Sequence, residues 1–257
     1  MHQTKRHLCG DGSHTLHSKK FNQFFHNPNG AIAESRHVFF ETPGLIRRTG
    51  SVHPFRIFEV GFGTGLNFLV LLDELRHLDP APEVVYRSVE AYPLVHSQVM
   101  PLNYPGKLGL EPDLQGRIFQ DLKPGFNEIR IHPNITLELF VGLFEQVPDT
   151  GDRFHSIFFD PFSPDVNPEL WTPDVFRKLA SVSDTDVLLS TYGAASKARA
   201  AMAAAGWSVA RAPGALGKRE MTLAALNPAR LSGWKRLDET RLSERYQKGE
   251  FDEQRNG

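Results

Sequence analysis

A strand-like run, Phe55-Arg56-Ile57-Phe58-Glu59-Val60, passes through glycines at 61, 63 and 65 straight into Leu66-Asn67-Phe68-Leu69-Val70-Leu71-Leu72. An apolar strand, a tight glycine reversal and a largely apolar helix can all be buried where helices cover a sheet, which is the opening of an α/β unit. The segments that follow repeat the order. Strands are expected at 84–89, ending on Glu90, at 135–141, at 156–159, ending on Asp160, and at 186–191. Helices are expected at 172–180, with Thr172 as cap and Pro173 in the first turn, and at 196–205, closed by Gly206. The Pro- and Gly-punctuated stretch 101–133 reads as a helix and loops outside the core sheet. Two last strands, 207–210 and 221–226, lie too close in sequence for a parallel crossover and must run antiparallel.

The expected organisation is an N-terminal extension, 1–54, with a small hairpin at 37–40, then one domain over 55–227, then a charged tail, 228–257, helical in part or disordered. One domain of this size is ordinary for 257 residues, and 19 Phe supply a sizeable core. Cys9 is the only cysteine, which excludes an internal disulfide or a Cys-based zinc site and points to the cytoplasm. No run approaches the ~18 apolar residues of a membrane span. Lys and Arg number 29 against 30 Asp and Glu, so bulk charge does not hold a nucleic acid, although a local basic patch can. His14, His17 and His26 lack metal-ligand spacing. With no GxSxG or P-loop motif, hydrolase and nucleoside-triphosphatase readings fall away.

The glycine spacing is GxGxG, with Leu66 where a dinucleotide fingerprint needs its third glycine. That favours S-adenosyl-L-methionine (SAM), which has no pyrophosphate to seat. Glu90 ends the next strand, where a carboxylate receives ribose hydroxyls. A glycine cluster alone marks only a turn, so the strands and Glu90 carry this reading. Asp160-Pro161-Phe162 ends another strand at the carboxyl edge where open sheets bind ligands. Methyl transfer to an amine requires the nitrogen to present a lone pair. Asp160 can accept its N–H, orient it and act as base, while Phe162 walls the site; the same Asp would also serve to cap a loop. Downstream, Asn167-Pro168-Glu169-Leu170-Trp171 and Lys218-Arg219-Glu220-Met221 form polar-aromatic clusters. Trp171 also fits a core, and the basic pair a solvated turn.

Several motifs then coincide: Asp11-Gly12-Ser13-His14-Thr15-Leu16-His17-Ser18, Asn29-Gly30-Ala31-Ile32-Ala33-Glu34-Ser35-Arg36-His37-Val38-Phe39, the glycine turn from Glu59 to Phe68, Asp160-Pro161-Phe162-Ser163-Pro164 with 167–172, and Lys218-Arg219-Glu220-Met221. Over roughly residues 11–227 the chain resembles the methyltransferase domain of the MnmC family, which completes methylaminomethyl groups on the wobble uridine of certain tRNAs. The resemblance implies a class I SAM-dependent methyltransferase fold, α/β and Rossmann-like, with a mostly parallel sheet ending in an antiparallel hairpin. It implies SAM held by Glu59, Gly61, Phe62, Gly63, Thr64, Gly65, Asn67, Glu90, Asp160 and Pro161. Asp160 would face the aminomethyl nitrogen, and Glu34, Phe162, Asn167, Trp171, Lys218, Arg219 and Glu220 would line the substrate side. The chain departs from the family pattern at His17, usually Tyr, at Leu143, where an acidic residue commonly meets the adenine side, and at Pro161, often a smaller residue.

Bifunctional members add an FAD-dependent oxidoreductase domain. The absence of a second dinucleotide motif makes a stand-alone, MnmD-like methyltransferase without FAD the expectation; the resemblance implies tRNA as partner, and neither a metal nor a membrane is expected from the histidine spacing and the lack of a long apolar run. A basic strip of Lys19, Lys20, Arg47, Arg48, Lys218 and Arg219 is the matching expectation for tRNA. Methylation of a small amine, and a non-catalytic SAM- or RNA-binding module, remain alternatives.

Overall fold

The structure, a computed structural model, describes residues 3–251. They divide into two compact units, the first ending at Pro148 and the second opening at Asp149, inside the span 55–227 that the sequence presents as one domain.

The first unit begins with a three-stranded antiparallel sheet, β1 (Thr4–Leu8), β2 (His14–Ser18) and β3 (Gln23–Phe24), in that spatial order. The helix Ala31–Ser35 then runs into a six-residue π-helix, Arg36–Glu41. The hairpin expected at 37–40 is therefore replaced by helix: Val38, Phe39 and Phe40 are consecutive buried residues, which a half-exposed hairpin cannot accommodate, and the Thr42 amide donates to the His37 carbonyl five residues back. The larger sheet of this unit contains β4 (Phe55–Val60), β5 (Val84–Glu90), β6 (Gly125–His132) and β7 (Ile135–Val141), in the order β4-β5-β7-β6. β4, β5 and β7 are parallel, and β6 returns antiparallel to β7. β6 corrects the reading of 101–133 as helix and loops alone. It is an edge strand whose residues alternate between half-buried and exposed, so it lacks the continuous apolar run that marks a central strand, and Pro124 and Pro133 flank it. Short helices Tyr104–Lys107 and Leu114–Ile118 do occupy the rest of that stretch.

In the second unit β8 (Phe154–Phe159), β9 (Ser183–Thr191), β10 (Ser208–Pro213), β11 (Glu220–Ala225) and β12 (Lys235–Arg236) lie in the order β12-β10-β11-β9-β8. β8 and β9 are parallel, while β10 and β11 form the antiparallel hairpin, pairing Ser208 with Ala225 through Pro213 with Glu220. Thr172 caps the helix Pro173–Ser181 as its sequence demands. Beyond 227 the chain stays ordered in structure through a short turn, Pro228–Leu231, then β12 and the helix Glu239–Gln247, which packs on the helix Ser196–Ala204. Glu239 accepts the Val209 amide at 3.0 Å and so stitches that helix to the sheet. Residues 252–257 of the expected tail lie outside the described residues.

The helix Leu66–Leu75 buries every residue except Glu74, as its apolarity requires. Leu69 is fully enclosed there, so Leu69→Ala removes burial and leaves a cavity. Urea unfolding is expected to show a loss of about 2–5 kcal/mol.

Candidate active site

The glycine turn stands in a conformation only glycine adopts cheaply: φ is +94° at Gly61, +53° at Gly63 and +74° at Gly65. Space is closed as well. A Cβ at Gly63 would meet Phe25 at 3.2 Å, and one at Gly65 would meet Phe62 at 3.1 Å and Phe119 at 3.2 Å. Glu90, at the end of β5, faces this turn; its Oε2 accepts the Gly63 amide at 2.9 Å and its Oε1 the Tyr92 amide at 2.9 Å. Burial pushes the Glu90 carboxyl up, opposed by these hydrogen bonds. A carboxylate offers about four acceptor positions, so capacity for ribose hydroxyls remains.

Glu59 lies deeper. It is only 1% exposed, accepts Asn67 Nδ2 at 2.9 Å and Ser88 Oγ at 2.6 Å, and Ser35 Oγ donates to Asn67 Oδ1 at 2.6 Å. Burial pushes its carboxyl up to about 7 against the opposing hydrogen bonds. Glu59 and Asn67, both expected at the cofactor, thus flank the glycine turn in sequence and are bonded to each other. Thr64 is buried too, its Oγ1 2.7 Å from His26 Nε2 and its carbonyl accepting Gln115 Nε2 at 2.9 Å. Burial lowers His26 to about 4, against the pull of Glu34, so the ring is neutral at pH 7.

The N-terminal motifs grip one another. Asp11 accepts the Ser13 and Ala33 amides, and Ser13 Oγ accepts the Ala31 amide at 3.1 Å. Glu34, expected on the substrate side, is buried and accepts the Asn27 amide at 2.9 Å, closing the 27–34 loop. His26, Ser35 and Ser88 were not among the expected site residues, because a lone polar residue in a loop or strand carries no periodic signal.

In the second unit Asp160 follows β8 and is half-buried. The loop after it is held by two carbonyls: Pro161 O accepts Tyr192 OH at 2.8 Å, and Phe162 O accepts Trp171 Nε1 at 2.8 Å. Trp171 is 2% exposed and meets Phe159 edge-on with centroids 4.8 Å apart, so it supports the loop from within the core. Asn167 is half-buried, its amide donating to Ser163 O at 2.9 Å and its Nδ2 to Glu169 at 3.0 Å. The Lys218 ammonium lies 4.8 Å from the Tyr192 ring, while Arg219 is exposed. Glu220 pairs with buried Arg199 at 2.8 Å and with Arg211 at 3.2 Å, and the Arg199 hydrogen bond holds its carboxyl below the ordinary value. Tyr192 and Arg199 were missed by sequence reading. The only signal for Tyr192 is its position just past an apolar strand, at the carboxyl edge. Among the described residues no three His, Cys, Asp or Glu are grouped to hold a metal, and no helix is long and apolar enough to cross a membrane.

Residues 112–227 match a family described as S-adenosyl-L-methionine-dependent methyltransferase. The chain is 33% identical over 229 residues to the tRNA 5-methylaminomethyl-2-thiouridine biosynthesis bifunctional protein MnmC of Cupriavidus metallidurans, a match covering 86% of this chain and 34% of that protein. The MnmC protein of Leptospira borgpetersenii is 32% identical over 211 residues, covering 79% of this chain and 32% of its own length. The chain therefore spans about a third of the length of the curated relatives it matches. The crystal structure of MnmC2 from Aquifex aeolicus superposes with a TM-score of 0.71 at 24% identity, over 88% of this chain and 72% of that one. The fold is that of the class I SAM-dependent methyltransferases.

The buried carboxylate makes stability depend on pH. Folded Glu59 keeps its proton up to about pH 7, whereas the unfolded chain releases it near 4.5. The folded state binds more protons between these values, so stability falls as pH rises through the window. Glu59→Gln is expected to lack this decline. Thermal unfolding at pH 5 and pH 8 checks it, with wild type losing up to about 3 kcal/mol relative to the variant.

Proposed function

We propose, for a chain that belongs to the SAM-dependent methyltransferases of the MnmC kind, that it methylates the aminomethyl group of the wobble uridine of tRNA in the cytoplasm. The observation that carries the substrate is the relationship, over 86% of the chain, to a protein named for tRNA 5-methylaminomethyl-2-thiouridine biosynthesis.

The turn fits the cofactor. Gly61, Gly63 and Gly65 hold the positive φ that the turn needs, Phe62 and Thr64 lie between them, and Glu90, bonded to the Gly63 amide, retains acceptor capacity for the ribose. Glu59 and Asn67, bonded to each other on either side of the turn, belong to the same cofactor region. When bound, SAM supplies a methyl group on a positively charged sulfur, which departs as a neutral thioether.

Asp160 accepts an N–H from the acceptor amine, turns the nitrogen lone pair toward the methyl group and takes the proton released when the N–C bond forms. Pro161 and Phe162 follow it on a loop whose carbonyls accept Tyr192 OH and Trp171 Nε1, which supports a fixed position for the carboxylate. Lys218 and Arg219 contribute positive charge for the RNA backbone. Asn167, Trp171 and Glu220 serve that side by holding backbone and arginines in place, and Glu34 by closing the 27–34 loop.

Labelled methyl transfer from SAM to tRNA bearing aminomethyl-uridine, without flavin, tests the reading; label on no tRNA while SAM binds would refute it. Asp160→Asn should lower turnover about 10²–10⁴-fold with SAM affinity retained. Gly63→Val, which places a branched side chain at φ +53° against Phe25, should instead abolish SAM binding measured by calorimetry.

A further inference from the structure

Charge in the N-terminal sheet is unlike that of the chain as a whole. Residues 3–27 hold four Lys and Arg (Lys5, Arg6, Lys19 and Lys20) against one acid, Asp11, where the whole chain holds 29 against 30. Asp11 is itself occupied by the Ser13 and Ala33 amides. Pairing sets Lys5 opposite His17 and His17 opposite Phe24, so these three lie in one row across the sheet. The Phe24 ring lies 4.9 Å from His17 and 5.2 Å from His7, and β1 is exposed along Lys5 to Leu8. At the turn between β2 and β3 the Lys20 ammonium stands 3.4 Å over the ring of Tyr92, which is 46% exposed and two residues beyond Glu90. Lysines on an edge strand do discourage strand pairing, but that role leaves the ring cluster and the Lys20–Tyr92 pair without purpose.

Cations interleaved with half-exposed rings are what single-stranded RNA requires, the cations for phosphates and the rings for unstacked bases. We propose that this face, from Lys5 through His17 and Phe24 to Lys20 and Tyr92, docks an unpaired loop of the RNA substrate beside the Glu90 end of β5. The proposal rests on the tRNA reading above and adds the surface that engages the RNA.

The test titrates tRNA into wild type and into Lys5→Ala/Lys20→Ala across a range of salt concentrations. Loss of two phosphate contacts to a single strand is expected to lower the magnitude of the slope of log K against log salt by about 1.4, with SAM affinity unchanged and Lys5→Arg/Lys20→Arg restoring the slope. Phe24→Ala should weaken binding about fivefold or more with the slope unchanged, the mark of lost stacking. Unchanged affinity and slope in the lysine variant, while wild type binds tRNA, would overturn this surface and leave the tRNA reading intact. Wild type that binds no tRNA at any salt overturns both.

Discussion

A carboxylate buried almost completely must find hydrogen-bond donors or remain protonated, and Glu59 does some of each. Its donors come from different places: Asn67 from the helix after the glycine turn and Ser88 from the adjacent strand, with Ser35 of the N-terminal segment bonded to Asn67 behind them. None of these elements can shift without stranding a buried polar group. The glycine turn between Glu59 and Asn67 is tied in addition by Glu90, which accepts the Gly63 amide. Rigidity at this point costs no extra chain length, because the same residues that build the strand and helix supply the bonds.

The N-terminal signature residues are understood in the same terms. Asp11, Ser13 and Glu34 spend their oxygens on backbone amides of neighbouring segments, and His26 spends its ring on Thr64. These segments are thereby clamped to each other and to the glycine turn. These polar side chains hold their loops together, since a short polar loop has no apolar stripe with which to hold itself in place.

In the second unit a comparable device positions Asp160. Its strand ends at the carboxyl edge, and the next two residues have their carbonyls fixed by Tyr192 and Trp171, side chains from separate elements. In the Arg199–Glu220 pair at the hairpin the arginine is buried and the glutamate half-buried, with Thr222 and the Met221 carbonyl taking two further guanidinium donors. Lys218 is drawn toward the Tyr192 ring, so the basic turn and the loop of Asp160 share a neighbour.

Strands with continuous apolar runs, the glycine turn, the Thr172 cap and the terminal hairpin can all be read from the sequence, because each rests on local signals: side-chain periodicity, glycine's access to positive φ, a capping hydroxyl and short spacing. Gly63, in the glycine turn, and Glu90 and Asp160, at or just past strand ends, stand out for the same reason. The edge strand β6 and the π-helix at Arg36–Glu41 escape such reading, since one carries only a weak alternating pattern and the other is chosen by where its buried rings must go. What each polar residue does, whether Glu34 contacts a substrate or closes a loop and whether Trp171 offers a ring or an indole N–H, is decided only in three dimensions. Hydrogen-bond partners distant in sequence determine it, and neither composition nor spacing encodes which donor will reach which acceptor.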